Sequence, residues 1–205
     1  FNNFADTLKK TENYEEALPT LKAANEAYSD NDYIVETYVN ALIKLGKKDD
    51  AEKVMAESAK KNPNNINILY NIGIIYDAYY PNSMNGIEIL KKGVIDNPES
   101  EYLNYITGIS LYNNGTIIYK EFRAAEDTAP NKASLKEESV KIFTEAIPYF
   151  EKAMEKYPNK KKVAKNLYKC YQVTGDKAKA EEMKPVPVET EAPNNPFSVL
   201  EQLKK

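Results

Sequence analysis

Five small residues recur along the chain at a nearly constant interval: Ala17, Ala51, Gly86, Ala146 and Ala180 stand 34, 35, 60 and 34 positions apart. Pro63, Pro98 and Pro158 each follow one of them by 12 residues. A period near 34 holds two helices of roughly 13 residues and two short turns, and a hairpin that small cannot bury its apolar face alone, so copies must stack. The interval therefore predicts an all-α array of helical hairpins, in register over 1–31, 32–65, 66–100, 101–160 and 161–184. An irregular bundle with accidental periodicity gives no reason for the small-residue and proline columns to agree.

Aligned in this way, the inward column of the first helices reads Phe4, Tyr38, Ile72, Thr107 and Leu167, and a turn later Leu8, Leu42, Tyr76, Leu111 and Tyr171. Where helices are to cross closely the residues are Ala5, Val39, Gly73, Gly108 and Tyr168. The second helices carry Leu21, Met55, Leu90 and Phe150 opposite small Ala24, Ser58, Gly93 and Ala153. Small residues facing large ones let two helices approach and interlock.

Two stretches show the pattern most fully: Leu69-x2-Ile72-Gly73-x2-Tyr76, and Ala146-x3-Phe150-x2-Ala153-x4-Pro158. They resemble the tetratricopeptide repeat (TPR), and the resemblance runs from Phe1 to about Lys184. It implies a right-handed superhelix of about five repeats whose work is binding protein or peptide. No repeat has the Trp of that pattern, Ser29 replaces a proline, and Tyr168 fills the small position of the last unit, as expected of an end repeat.

Between Gly86 and Ala146 the interval exceeds the repeat by 26 residues. The insert is patterned: Ile118, Phe122 and Ala125 share a helical face, and after a turn at Ala129-Pro130-Asn131 the pair Ser134-x-x-Glu137 reads as a capping box opening the next helix. Lengthening both helices of the fourth unit by about 13 residues each would project a hairpin roughly 20 Å. That projection is either a contact element, over 116–135, or a neutral elongation. Long fourth-unit helices leading into 146–153 are similar to TPR proteins of the Bacteroidota, many of them exported, which implies a periplasmic or cell-envelope location, with the cytoplasm as alternative.

In a stacked array of this kind the inner face of each first helix lines a concave groove. Here it carries Tyr33, Asn40, Tyr70, Asn71, Tyr102, Tyr105, Ile109 and Tyr112. Tyrosine offers apolar area and a polar tip, and asparagine donates and accepts at once, matching the two groups of a peptide unit. The alternative for each tyrosine is packing between helices. The family's carboxylate clamp is matched only by Asn40 and Asn71: Glu36 stands where the first lysine belongs, and Tyr102 and Ile106 replace the last two basic residues. Binding of acidic chaperone tails is therefore not expected, because a desolvated carboxylate needs paired positive charge. Lys162, Lys165 and Lys169 share one face of a later helix, either as a patch for an acidic partner or as a solvated stripe.

A net charge of −3 argues against phosphate-backbone binding, so no nucleic-acid partner is expected. With no histidine, the commonest general base is missing, and catalysis is not expected. One cysteine, Cys170, allows no intrachain disulfide and no cysteine zinc site, and its helix-internal place suits an inert buried thiol. No cofactor or metal is expected. No run approaches the 18 apolar residues of a membrane span, nor is a signal peptide visible, though Phe1 already falls inside a repeat and the native chain is expected to begin earlier. Asn114-Gly115-Thr116 fits a glycosylation sequon, and Asp6-Thr7-Leu8 and Asp127-Thr128-Ala129 resemble the O-glycosylation triplet of exported Bacteroidota proteins.

After Lys184 four prolines in 185–196 predict an extended linker, and Phe197, Leu200 and Leu203 a short helix over 197–205 that docks either on the last repeat or on a partner. Two functions follow: a module that binds a peptide or extended segment in the groove, or a structural subunit that meets its neighbours through the 116–135 hairpin or the tail.

Overall fold

A computed structural model describes residues 13–81 and 83–184. Phe4, Ala5, Leu8, the triplet at Asp6, the 185–196 linker and the 197–205 helix lie outside them. Among the described residues the chain is all helical, with nine helices. These are α1 (Tyr14–Ala27), α2 (Asp32–Lys44), α3 (Lys48–Lys61), α4 (Ile66–Tyr79), α5 (Met84–Asp96), α6 (Glu101–Ala124), α7 (Lys132–Lys156), α8 (Lys160–Thr174) and α9 (Lys177–Glu182). Two compact units divide them, Phe1–Ile72 and Gly73–Lys205.

In the first unit α2 packs on α1 and on α3. Val39, Ala41, Ala51 and Met55 are fully buried there, and Ile34, Val35 and Leu42 nearly so, which sets small residues among large aliphatic ones. Asn31 caps α2 by accepting from the Ile34 N–H, and Gly46, at φ 73°, makes the left-handed turn into α3 that an L side chain resists. Asp49 and Asp50 occupy the first turn of α3, where they complement its dipole. The turns are bound one repeat apart: the Asn62 side chain donates to Ser29 O at 2.8 Å and the Asn65 side chain to Asp30 O at 2.9 Å.

In the second unit α6 packs on α5, α7 and α8, and α9 packs on α8. Its core runs through Leu90, Leu103, Phe150, Val163 and Leu167. Gly86 occupies the column held elsewhere by alanine because the Tyr76 ring takes the space: a Cβ on Gly86 would stand 2.5 Å from Tyr76 Cγ. Gly108 likewise admits the Phe150 ring, which would meet its Cβ at 2.8 Å.

The fourth hairpin is the long one, with helices of 24 and 25 residues against 13 to 15 for α1–α5 and α8. Each gains about 11 residues, near 16 Å of helix at 1.5 Å per residue, and the rest of the insert goes into the 125–131 turn. The even split into 13 and 13 left no residues for the 125–131 turn. The capping box does not form. The helix begins at Lys132, so Ser134 already lies inside it, and its hydroxyl donates to Asn131 O at 2.8 Å. Lys132 holds the turn instead, donating to Ala125 O and Asp127 Oδ1.

Candidate functional site

Within the first unit, Tyr33 and Asn40 of α2 are half-buried, and Tyr70 and Asn71 of α4 are buried. Asn71 Nδ2 donates to Glu36 Oε2 at 3.3 Å. A carboxylate only accepts, so this bond sets the amide's orientation and turns Oδ1 away from Glu36. Asn71 Oδ1 is buried and has no hydrogen-bond partner among the described residues, and an acceptor left so costs about 1–3 kcal/mol. Glu36, the residue that departs from a carboxylate clamp, thus positions one of the two asparagines that match it.

Within the second unit, the tyrosines of α6 turn largely to its partner helix. Tyr105 is buried and stacks on Tyr157 at 4.1 Å and 22°, with Tyr102 edge-on to the same ring at 5.4 Å. Tyr112 meets Phe143 edge-on at 5.5 Å, and burial pushes its phenol up. Ile109 is half-buried. Of the eight residues expected on the groove, Tyr33, Asn40, Tyr102, Ile109 and Tyr112 therefore keep partial exposure, while Tyr70, Asn71 and Tyr105 are buried.

Sequence reasoning passed over a polar cluster in the same unit. Asp77 near the end of α4 accepts from Ser110 Oγ at 2.8 Å and from Asn113 Nδ2 at 3.1 Å. The signal for it was the repeat itself, since the three residues lie 33 and 36 positions apart, the interval that also joins Asn71 to Glu36. The cluster lines an open cavity of about 250 Å³ between α4, the start of α5 and the middle of α6. Asn114, the sequon asparagine, is only 7% exposed inside α6, so that sequon is not presented to an enzyme.

The lysine stripe lies on α8. Lys165 and Lys169 are exposed, Lys162 is half-buried, and Lys169 stands over the Tyr168 ring at 5.9 Å. Toward the end of the described chain, Tyr171 donates to Glu151 Oε1 at 2.6 Å, and Lys179 of α9 reaches the same oxygen at 3.1 Å. These bonds hold the Glu151 carboxyl below its ordinary range, the Tyr171 hydroxyl being the larger cause. The Cys170 thiol is fully buried and pushed up to about 12 by burial, which suppresses the thiolate. Among the described residues no group of His, Cys, Asp or Glu could hold a metal, and no helix is long and apolar enough to cross a membrane.

Residues 8–70 match the family model described as a tetratricopeptide repeat. No curated protein matches the sequence. Among solved structures, a human IFIT1 dimer with m7Gppp-AAAA aligns over 82% of this chain and 35% of its own at 24% identity and TM-score 0.53. The human IFIT1 dimer with PPP-AAAA aligns over 82% and 34%, at 24% and 0.51. The MamA AMB-1 structure aligns over 89% of this chain and 90% of its own, at 20% identity and 0.52. The chain thus spans about a third of the IFIT1 chains it matches, and at these identities the likeness is one of fold. None of these matches carries the likeness to exported Bacteroidota proteins.

Proposed function

The chain being a tetratricopeptide-repeat protein, we propose that it binds an extended peptide segment along the inner faces of its first helices, reading the main chain as much as the side chains. Repeats of this kind generally mediate protein–protein interaction and are generally non-catalytic adaptors or scaffolds. The observation that carries the finer reading is Asn71: a buried amide oriented by Glu36, with its carbonyl oxygen short of a donor. A peptide N–H is a donor of the kind it lacks, and reaches it only when a neighbouring side chain moves aside, because the oxygen is closed to solvent in the unliganded chain. Tyr33 and Asn40 of the same unit remain partly exposed and offer ring area and an amide to a ligand. The IFIT1 structures were solved with m7Gppp-AAAA and PPP-AAAA, so an oligonucleotide belongs in the test. The net charge of −3 favours protein.

The test is a random-peptide selection on the whole chain, followed by titration of the best peptide into wild type, Asn71→Ala and Tyr33→Ala/Asn40→Ala. The three-tyrosine change Tyr70→Ala/Tyr102→Ala/Tyr105→Ala is unsuitable, because two of those rings are core. Asn71→Ala is expected to weaken binding about tenfold, the scale of one hydrogen bond, and methylating one peptide nitrogen to do the same. Undiminished affinity in both variants would sink the reading. Tight binding of PPP-AAAA with no peptide selected would replace it.

A further inference from the structure

The cavity in the second unit has a composition that suits one kind of side chain. The half-buried Asp77 carboxylate lines it, accepting from Ser110 and Asn113. Its sides are apolar, from Tyr76, Ile87 and Ile117. A second polar group lines it: Asn114, more than nine-tenths buried, whose side-chain nitrogen finds, among the described residues, only the Met84 sulphur at 4.0 Å. A thioether is a weak acceptor, so this amide has a donor to offer. At about 250 Å³ the space is below the range usual for drug-sized ligands and fits a single long side chain.

The lengthened helix builds this cavity. A first helix of 14 residues from Glu101 would end at 114, whereas Thr116, Ile117 and Lys120 close the outer wall. Lys120 is exposed and lies two turns beyond Asn113, about 10 Å along the axis, so it sits at the rim.

We propose that this cavity is a specificity pocket for a lysine or arginine side chain of the bound peptide, with the cationic end on Asp77, the stem along Tyr76, Ile87 and Ile117, and a main-chain carbonyl on Asn114. An aliphatic stem lies along apolar walls while its charged head reaches a polar group, and a carboxylate oriented by two donors is preorganised for a cation. In its choice of a peptide as the source of that side chain, the proposal rests on the reading above. The pocket itself is tested separately.

The probe is N-acetyl-lysine methylamide, with the norleucine analogue as its uncharged match, titrated into the whole chain while the side-chain amide signals of Asn113 and Asn114 are followed. Saturable shifts are expected with the lysine probe and at least about tenfold weaker ones with norleucine. Asp77→Asn should erase the difference. Lys120→Glu, on an exposed residue and so without risk to folding, should tighten the lysine probe by about two- to threefold by adding rim charge. Equal binding of both probes, no saturable shift, or a looser lysine probe in Lys120→Glu overturns the pocket, whatever extended peptides do. If the lysine probe behaves as expected while no extended peptide binds, the pocket stands and the peptide-groove reading falls. Cadaverine binding as tightly as the capped lysine would reassign the pocket to free amines and overturn the peptide assignment.

Discussion

The hairpin formed by α2 and α3 and the one formed by α6 and α7 obey the same packing rule at two lengths. The short one has no glycine in either helix: Val39, Ala41, Ala51 and Met55 are fully buried, and the Tyr38 ring, 8% exposed, is buried with them. The long one pairs glycines with rings: Gly108 admits Phe150, and Gly115 lies against Phe143. It also buries Asn104, Thr107, Ser110, Asn114 and Ser139, where the first unit buries Thr37, Ser58 and Asn71. Thr107 donates to Leu103 O and Asn104 to Pro98 O and Ser100 O, which satisfies these groups within a turn or so of their own positions. Gly108 and Phe150 stand at ordinary repeat positions, and the added helix contributes a smaller core of its own, Gly115 against Phe143 with Ser139 buried nearby in sequence, and a wall for the cavity. It is not a bare projection.

The sharpest way to break that comparison is Phe150→Ala. The ring is fully buried, and its loss should destabilise by about 3–5 kcal/mol in urea unfolding. Because repeats couple chiefly to their neighbours, hydrogen exchange should rise in α6 and α7 and leave α2 and α3 protected. Uniform loss of protection would mean that the two hairpins are not separable.

Gly108→Ala comes next, at about 1–3 kcal/mol, since the new methyl meets the Phe150 ring. The mirror change Ala51→Gly in the short hairpin should cost only about 0.5–1 kcal/mol, chiefly through backbone entropy. Equal thermal shifts would contradict the ring-and-glycine account.

Caps sharpen the comparison further. Asn31→Ala should lose about 1 kcal/mol, because its side chain accepts from Ile34 N, and Asn131→Ala should be near neutral, because it makes no such bond. The smallest effect is the pH response at Glu151. Its carboxyl is depressed in the folded state, so its contribution is present above the ordinary carboxylate range and is lost as pH falls through that range and below. Exchange in α9 should quicken on acidification, by a modest amount because the ion pair to Lys179 is exposed, and Glu151→Gln should flatten that response.

The repeat columns were legible because periodicity encodes burial. Ala17, Ala51, Ala146 and Ala180 are at most 6% exposed, and the facing column of Leu21, Met55, Leu90 and Phe150 is at most 3% exposed. Tyrosine was not legible in the same way. Its ring suits a core and its hydroxyl suits a surface, so Tyr105 and Tyr102, three residues apart on α6, read alike although one is buried and the other is not. The start of α7 was misread for a related reason: Ser134-x-x-Glu137 has the spacing of a capping box, yet a helix that can begin earlier and gain another turn leaves that serine inside.

The order of residues alone dictated an array of helical hairpins and the place of the insert, because each depends on spacing along a helix of known pitch. Which side chains meet across helices was settled only by folding. Asp77 finds Ser110 and Asn113, Asn71 finds Glu36, and the rings of Tyr105 and Tyr157 stack. These contacts join residues about a repeat or more apart. Their geometry is set by how closely neighbouring helices approach, a distance that the small residues permit and the packed core selects.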